Sequence, residues 1–232
     1  MQAVFVCGGK GTRLRPQFTK PKSLVPVAGA TLLARLVARF APLHQSARPP
    51  VVIVSSDDDE TPRAVARLLP GARIVPQPRP DGVANALLLA EPFLDDDLIV
   101  TLGDVFLDGP LSSGAGPGLL VWQGASVDEI RSNFGVAATD DGLVSGVVEK
   151  PLDGRGLQCG MGVYRLTRKV IACFPAAPTD ARTGERGITD AIQAAIAAGV
   201  RFRAIPFSGY YHNVNAPDDV VAIERHLARA VS

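Results

Sequence analysis

Apolar residues come in short runs that stop abruptly. Residues 3–7 form one run, closed by Gly8 and Gly9. A further run lies at 51–54, and strand-like stretches interrupted by Arg73 and by Thr101 lie at 72–75 and 98–102, each followed by serine, proline, glycine or acidic residues. Runs of four or five apolar residues without alternation fit strands buried on both faces. Between them the spacing becomes helical. Leu32, Leu33, Leu36, Val37 and Phe40 share one helix face, with Thr31 as the cap. Acidic residues at 57–60 suit a helix start, and that helix runs to Leu69 before Pro70 and Gly71. Residues 83–89 predict a third helix. Strands alternating with helices predict a doubly wound, largely parallel sheet. Ligands of such sheets sit beyond the carboxyl ends of the strands. Gly8, Gln77 and Asp104 all follow strand ends, so they are expected to converge on one cleft.

The pattern changes after Asp104. Residues 110–118 are a Gly/Ser/Pro loop and 119–122 a strand. Residues 133–138 and 143–149 flank Thr139-Asp140-Asp141-Gly142, a hairpin signal. Strands are expected at 157–166 and 201–206, a short helix at 167–174 and a closing helix at 216–230. Ile188, Ile192 and Ile196 line another helix, stopped by Gly199. This half is expected to be mixed sheet laid against the first. No internal repeat or long linker divides the chain. One domain over 1–232 is therefore expected, with halves at 1–108 and 109–232.

With 47% apolar residues in 232, a sizeable core is available and disorder is excluded. A net charge of +1 and 6% aromatic residues argue against nucleic acid as a partner. The 3 cysteines, Cys7, Cys159 and Cys173, are far apart and fit reduced thiols, not a disulfide framework. Cys7 beside the glycines fits an inert buried thiol better than a nucleophile. His44, His212 and His226 do not join the cysteines at metal-ligand spacing. No run could span a membrane and no leader pattern is present, which predicts a cytoplasmic protein without a membrane partner. The sequence leaves a homo-oligomer open.

The basic residues matter by position. Gly8, Gly9 and Gly11 end the first strand, and Arg13, Arg15, Lys20 and Lys22 follow at once. Glycines let an anion approach backbone amides, so amides followed by cations fit a phosphate site. Asp104 ends the apolar run Thr101-Leu102-Gly103. A carboxylate there can hold Mg²⁺ against substrate phosphates, or can simply close a turn.

Residues 8–14, then Pro16, then Lys20-Pro21-Lys22-Ser23-Leu24-Val25-Pro26-Val27 resemble the signature of sugar-1-phosphate nucleotidylyltransferases. Cys7 departs from it, since the family usually has alanine there. Three further stretches resemble the same family in its order. Gln77-Pro78-Arg79-Pro80-Asp81-Gly82 is similar to the base-reading loop of thymidylyl- and uridylyl-transferring members. Guanylyl-transferring relatives often show a Glu-rich, Pro-Leu-Gly-Thr version, yet in length the chain resembles compact guanylyltransferases for unusual sugars. Phe134-Gly135-Val136 with Glu149-Lys150-Pro151 is similar to the hairpin under the sugar phosphate. Residues 211–219 resemble the late metal segment, with Asn213 where many members have aspartate and Asn215 as the alternative ligand.

The resemblance implies a Rossmann-like three-layer α/β sandwich, with a mainly parallel mixed sheet and an inserted sugar-binding hairpin region. It implies a nucleoside triphosphate and a sugar 1-phosphate as partners, and Mg²⁺ on Asp104 with Asn213 or Asn215. Gly9, Gly11, Thr12 and Arg13 would hold the outer phosphates, and Lys22 the α-phosphoryl group. Gly8, Gln77, Gly82 and Gly103 would complete the nucleotide site. Gly135, Glu149, Lys150 and Tyr164 would face the sugar phosphate, with Cys159 and Met161 as departures nearby. Thr189 and Asp190 are expected to start a helix. Two other readings stay open: cytidylyl transfer to a non-sugar phosphate or phosphonate, and a non-catalytic nucleotide-sensing subunit of the same fold.

Overall fold

The computed structural model describes residues 1–9, 14, 17–112 and 114–231. β1 (Gln2–Val6) is buried throughout. Its residues alternate between two cores: Val4 and Val6 face one, while Ala3, Phe5 and then Cys7 face the other. The sheet is therefore covered on both sides, as the unbroken apolar run requires.

A two-residue hairpin, β2 (Pro26–Val27) and β3 (Ala30–Thr31), precedes α1 (Leu32–Phe40), and the Thr31 side chain caps that helix as expected. β4 (Val51–Ser55), α2 (Glu60–Leu68), β5 (Arg73–Gln77), α3 (Val83–Ala90) and β6 (Asp97–Leu102) follow. β1 lies between β4 and β6, and β5 lies outside β4, all parallel. α1 and α2 pack on one face, where Phe40 meets Phe5 edge to face at 6.1 Å. α3 packs on the other. Burying side chains of this size contributes about 1.5–3 kcal/mol each.

The second half runs through β7 (Val105–Asp108), β8 (Gly118–Trp122), α4 (Val127–Ser132), β9 (Phe134–Ala138) and β10 (Val144–Glu149). It continues with β11 (Gln158–Thr167), α5 (Arg168–Ile171), α6 (Ile188–Ala197), β12 (Arg203–Phe207), β13 (Tyr210–Asn213) and α7 (Pro217–Val231). Of these strands, β8 to β12 do not lie against the first half; they extend its sheet edge to edge, which corrects that expectation. The reason is β11, ten residues long and almost wholly buried. One edge bonds antiparallel to β6 over Val163–Thr167 and to β9 over Gln158–Gly160. The other edge bonds to β8, which pairs in parallel with β12. A nine-stranded mixed sheet results. With α5 and α6 on the same face as α3, this is the three-layer α/β fold the sequence implied.

One unforeseen element matters for the site. β7 and β13 form a separate antiparallel ribbon, with Val105 opposite Asn213. The amide of Val214 donates to the carbonyl of Asp104 at 2.8 Å. Residues some hundred positions apart are thus tied at one point. A third core, including Val25, Leu32, Phe106, Val214 and Ile223, anchors this ribbon beneath α7. Among the described residues no helix is long and apolar enough to cross a membrane.

Candidate active site

The floor of the site is built by close packing at strand ends. The amide of Gly103 donates to the carbonyl of Val6 at 2.8 Å. A Cβ on Gly103 would lie 2.9 Å from Cys7 Sγ, and one on Gly8 would lie 2.9 Å from Gln77 Oε1. These two glycines are thus demanded by their neighbours as well as by any phosphate. Above them opens a cavity of about 350 Å³. Gly8, Gly9, Lys22, Gln77, Gly82, Gly103 and Asp104 all line it. Gly11, Thr12 and Arg13 lie outside the described residues.

Lys22 sits on a short turn, Lys22–Leu24, that follows Pro21. Its Nζ lies 2.6 Å from Asp104 Oδ2 and donates to Asn215 Oδ1 at 2.9 Å. Two oxygens from distant segments therefore converge on one cation. Asp104 Oδ1 is buried with no hydrogen-bond partner among the described residues. A buried carboxylate oxygen left unpaired is costly, and an all-oxygen donor set suits a hard cation. Among the described residues no group of three or more His, Cys, Asp or Glu could form a metal site. Asn213 is engaged elsewhere. Its Oδ1 accepts from the Tyr211 hydroxyl at 2.9 Å, and its Nδ2 donates to Asn133 Oδ1 at 2.6 Å.

Asp219 in the first turn of α7 holds the Asn215 loop. Its Oδ2 accepts from the amides of Asn215 and Ala216, each at 2.7 Å, and its Oδ1 lies 2.9 Å from His212 Nε2. Burial pushes this carboxyl up, but the bonds from His212 and the two amides outweigh it and lower its pKa. Cys7 behaves oppositely. Burial raises its thiol to about 12 against the milder effect of Ser23, with Asp104 and Asp58 adding to the rise. A thiol held neutral is a poor nucleophile, in keeping with the reading of Cys7 as core.

The loop after β5 is locked from below. Gln77 Nε2 donates to Asp81 Oδ1 at 2.7 Å and to the Gly82 carbonyl at 3.2 Å. Gly82 has φ +103°, and a Cβ there would overlap the Arg186 carbonyl. The Arg186 amide donates to the Asp81 carbonyl at 2.8 Å, and its guanidinium donates to Asn85 Oδ1 at 2.8 Å and to the Ala177 carbonyl at 3.1 Å. The sequence places a helix start at Thr189 and Asp190 and assigns no role to Glu185 or Arg186 before it. The structure sets Arg186 under the loop and Glu185 on the cavity wall. One glutamate and one arginine in a polar loop carry no signal for that role.

The remaining expected residues stand apart from this cavity. Glu149 Oε2 accepts from the Thr189 hydroxyl at 2.8 Å; Thr189 does lie at the start of α6. Lys150 has φ +43°, and its amide donates to the Asn133 carbonyl at 2.8 Å. Gly135 packs against Leu157, where a Cβ would clash. Tyr164 is 1% exposed and stacks on Phe134, so its ring belongs to the core. Burial raises its hydroxyl pKa far above the ordinary value, with Glu149 and Asp104 adding to the shift.

Fold and cleft together define a Rossmann-like α/β protein with a polar cavity at its strand ends. The chain belongs to the nucleotidyl transferase family, whose model matches residues 2–229. It is 33% identical to a glucose-1-phosphate thymidylyltransferase of Streptomyces griseus, over 97% of this chain and 65% of that protein. It is 31% identical to the UTP–glucose-1-phosphate uridylyltransferase AglF of Haloferax volcanii, over 98% of this chain and 96% of that one. The chain spans about half to two thirds of the length of several curated relatives it matches. Two solved structures share the fold. A UDP-glucose pyrophosphorylase complexed with UDP-glucose has TM-score 0.81 at 16% identity, covering 99% of this chain and 98% of that one. The inositol-1-phosphate CTP transferase of T. maritima has TM-score 0.79 at 18% identity, covering 100% and 97%.

Proposed function

We propose that this protein is a sugar-1-phosphate nucleotidylyltransferase, joining a nucleoside triphosphate to a sugar 1-phosphate and releasing pyrophosphate. The observation that carries the reading is the meeting of Lys22, Asp104 and Asn215 beside the Gly8–Gly9 turn, with one Asp104 oxygen buried and unpartnered among the described residues. Residues 1–108 form the nucleotide half and 109–232 the acceptor half of one domain.

An acceptor phosphate oxygen forms a bond to the α-phosphorus as the bond from that phosphorus to pyrophosphate breaks. Both reactants are polyanions, so the protein's task is alignment and charge neutralisation. Lys22 stabilises the α-phosphoryl group. Gly8, Gly9, Gly11, Thr12 and Arg13 receive the nucleotide phosphates, and Gln77 and Gly82 meet the base. Glu149 accepts from sugar hydroxyls, Lys150 holds the sugar phosphate, and Gly135 lines the sugar. A phosphate nucleophile arrives already ionised and needs no general base. Asp104 and Asn215 would hold Mg²⁺, which when bound neutralises charge on the triphosphate. In this reading Asn213 supports the loop through Tyr211 and Asn133, while Asn215 stands beside Asp104 on Lys22. The reading implies a cytoplasmic enzyme, where nucleoside triphosphates are supplied.

Pyrophosphate release measured over a panel of nucleoside triphosphates and sugar 1-phosphates tests this directly. Lys22→Ala and Asp104→Ala are each expected to lower release by at least about 100-fold with melting temperature retained. Chelation by EDTA is expected to abolish release, and added Mg²⁺ to restore it. Full activity in either variant would sink the mechanism. Turnover confined to inositol phosphates or phosphonates would favour cytidylyl-type transfer instead. Nucleotide binding without release, over the whole panel, would favour the sensing subunit.

A further inference from the structure

A directed chain of hydrogen bonds joins the acceptor hairpin to the ribbon of β7 and β13. At one end the amide of Gly162, which can only donate, reaches the Tyr211 hydroxyl at 3.4 Å. That hydroxyl gives its own proton to Asn213 Oδ1 at 2.9 Å. Asn213 Nδ2 donates to Asn133 Oδ1 at 2.6 Å, and Asn133 Nδ2 donates to the Glu129 carbonyl at 2.8 Å. A carbonyl can only accept, so the chain has one direction, and turning either amide over sets like against like. The Asn213 oxygen therefore faces Tyr211, which is 2% exposed. The backbone of Asn133 reaches the hairpin, its carbonyl accepting from the Lys150 amide at 2.8 Å. Asn213 lies opposite Val105, the neighbour of Asp104.

We propose that Asn133 is a positioning residue for the acceptor: bonded to Asn213 through its side chain and to Lys150 through its backbone, it holds the hairpin's cation in place relative to Asp104. Asn213 is the anchor of this link and not a metal ligand. The inference rests on the transferase reading and goes beyond it by giving Asn133 a part in the reaction. It also accounts for the residue type at 213. An aspartate there would set a carboxylate oxygen against Asn133 Oδ1, two acceptors with no proton between them. A misplacement of about 1 Å can cost roughly 100-fold in rate. Lys150, at φ +43°, has a backbone that needs such a tether.

Steady-state kinetics of the full chain, with calorimetric nucleotide binding in the absence of acceptor, tests this. Asn133→Ala is expected to raise the KM for sugar 1-phosphate at least about tenfold, while the nucleotide Kd stays within about twofold. A merely structural role would move both together. Should that variant not fold, Asn133→Ser, whose side chain falls short of Asn213, carries the same expectation. Asn213→Asp is expected to give the same split, with the Mg²⁺ concentration for half-maximal rate unmoved; a metal ligand that gained a charge would lower it. Urea melts in EDTA need no turnover. Asn133→Ala and Asn213→Asp remove one shared bond, so their losses in midpoint are expected not to add in the double variant. An acceptor KM unchanged in Asn133→Ala, a lower Mg²⁺ requirement in Asn213→Asp, or fully additive losses overturn the inference while the transferase reading stands. No pyrophosphate release by the unmodified protein with any substrate pair overturns both.

Discussion

Lys150 holds φ +43°, a conformation that costs an ordinary side chain about 1–2 kcal/mol. It persists because Asn133 pins it, accepting from the Lys150 amide while its own side chain bonds the Glu129 carbonyl and Asn213. Strain of this kind gathers where a side chain must be aimed. Lys150→Gly is expected to raise unfolding free energy by about 1 kcal/mol in a urea titration and to lower pyrophosphate release at least about 100-fold. A less stable variant would show that the backbone is not strained. The residue was legible from Glu149-Lys150-Pro151; its strain was not, because φ there is set by Asn133, a strand away. The different surroundings of Asn213 and Asn215 were hidden for a similar reason. Two asparagines two positions apart look alike until their partners are known: Lys22 for one, Tyr211 and Asn133 for the other.

Among elements, β1 and β4 were legible because burial on both faces leaves long apolar runs, and β5, at the sheet edge, only from its place between two helices. The ribbon of β7 and β13 was not. β7 restarts two residues after β6, and Tyr210–Asn213 carries polar residues that serve the loop beyond it. Nor was the capping box of α4, Ser126 with Glu129, since a six-residue helix gives little periodicity. The β2–β3 hairpin also escaped notice, having two residues per strand. Its loop is Ala28-Gly29, with φ +43° and +81°. Positive φ at both positions is the primed-turn pattern, which favours Asn-Gly. Arg35 donates to the Val27 and Ala28 carbonyls, and Glu224 of α7 accepts from the Ala28 amide at 3.0 Å. The turn is thus fixed by tertiary bonds in spite of its residue. Ala28 is exposed, so Ala28→Asn meets no steric obstacle. It is expected to stabilise the protein by about 0.5–1 kcal/mol in denaturant melts, without changing kcat. A destabilised variant would mean that the hairpin is held by bonds the alanine itself permits.

At the scale of the molecule, acid and alkaline stability should be limited by different groups. Asp95, Asp141, Asp153, Asp180 and Asp219 all have lowered pKa values in the folded chain. For Asp95 and Asp141 the main cause is a hydroxyl donor, Ser46 or Thr139; for Asp153 it is Arg155, and for Asp180 the amide of Thr183. Below about pH 4 the unfolded chain takes up protons that these carboxylates resist, so stability falls as pH falls through their folded values. Asp141, Asp153 and Asp180 are exposed, so this limb is shallow, and Asp95 and Asp219 are its partly buried contributors. Cys7 and Cys159 work in reverse. Burial raises both thiols from 9.0 to about 12. Between those values the unfolded chain has released protons that the folded chain retains, so stability falls as pH rises through the window. A plateau between about pH 4 and 9 is expected, with a steeper alkaline edge, since the thiols are enclosed by the sheet and its helices. Cys7→Ala tests the assignment at the position where relatives usually carry alanine. It removes one of the two thiols, and the urea midpoint is expected to decline less between pH 9 and 11 than in the unmodified protein. An alkaline limb of unchanged slope would mean that the thiol behind Gly103 does not set it, and that Tyr164 and Tyr211, both raised by burial, carry the effect instead.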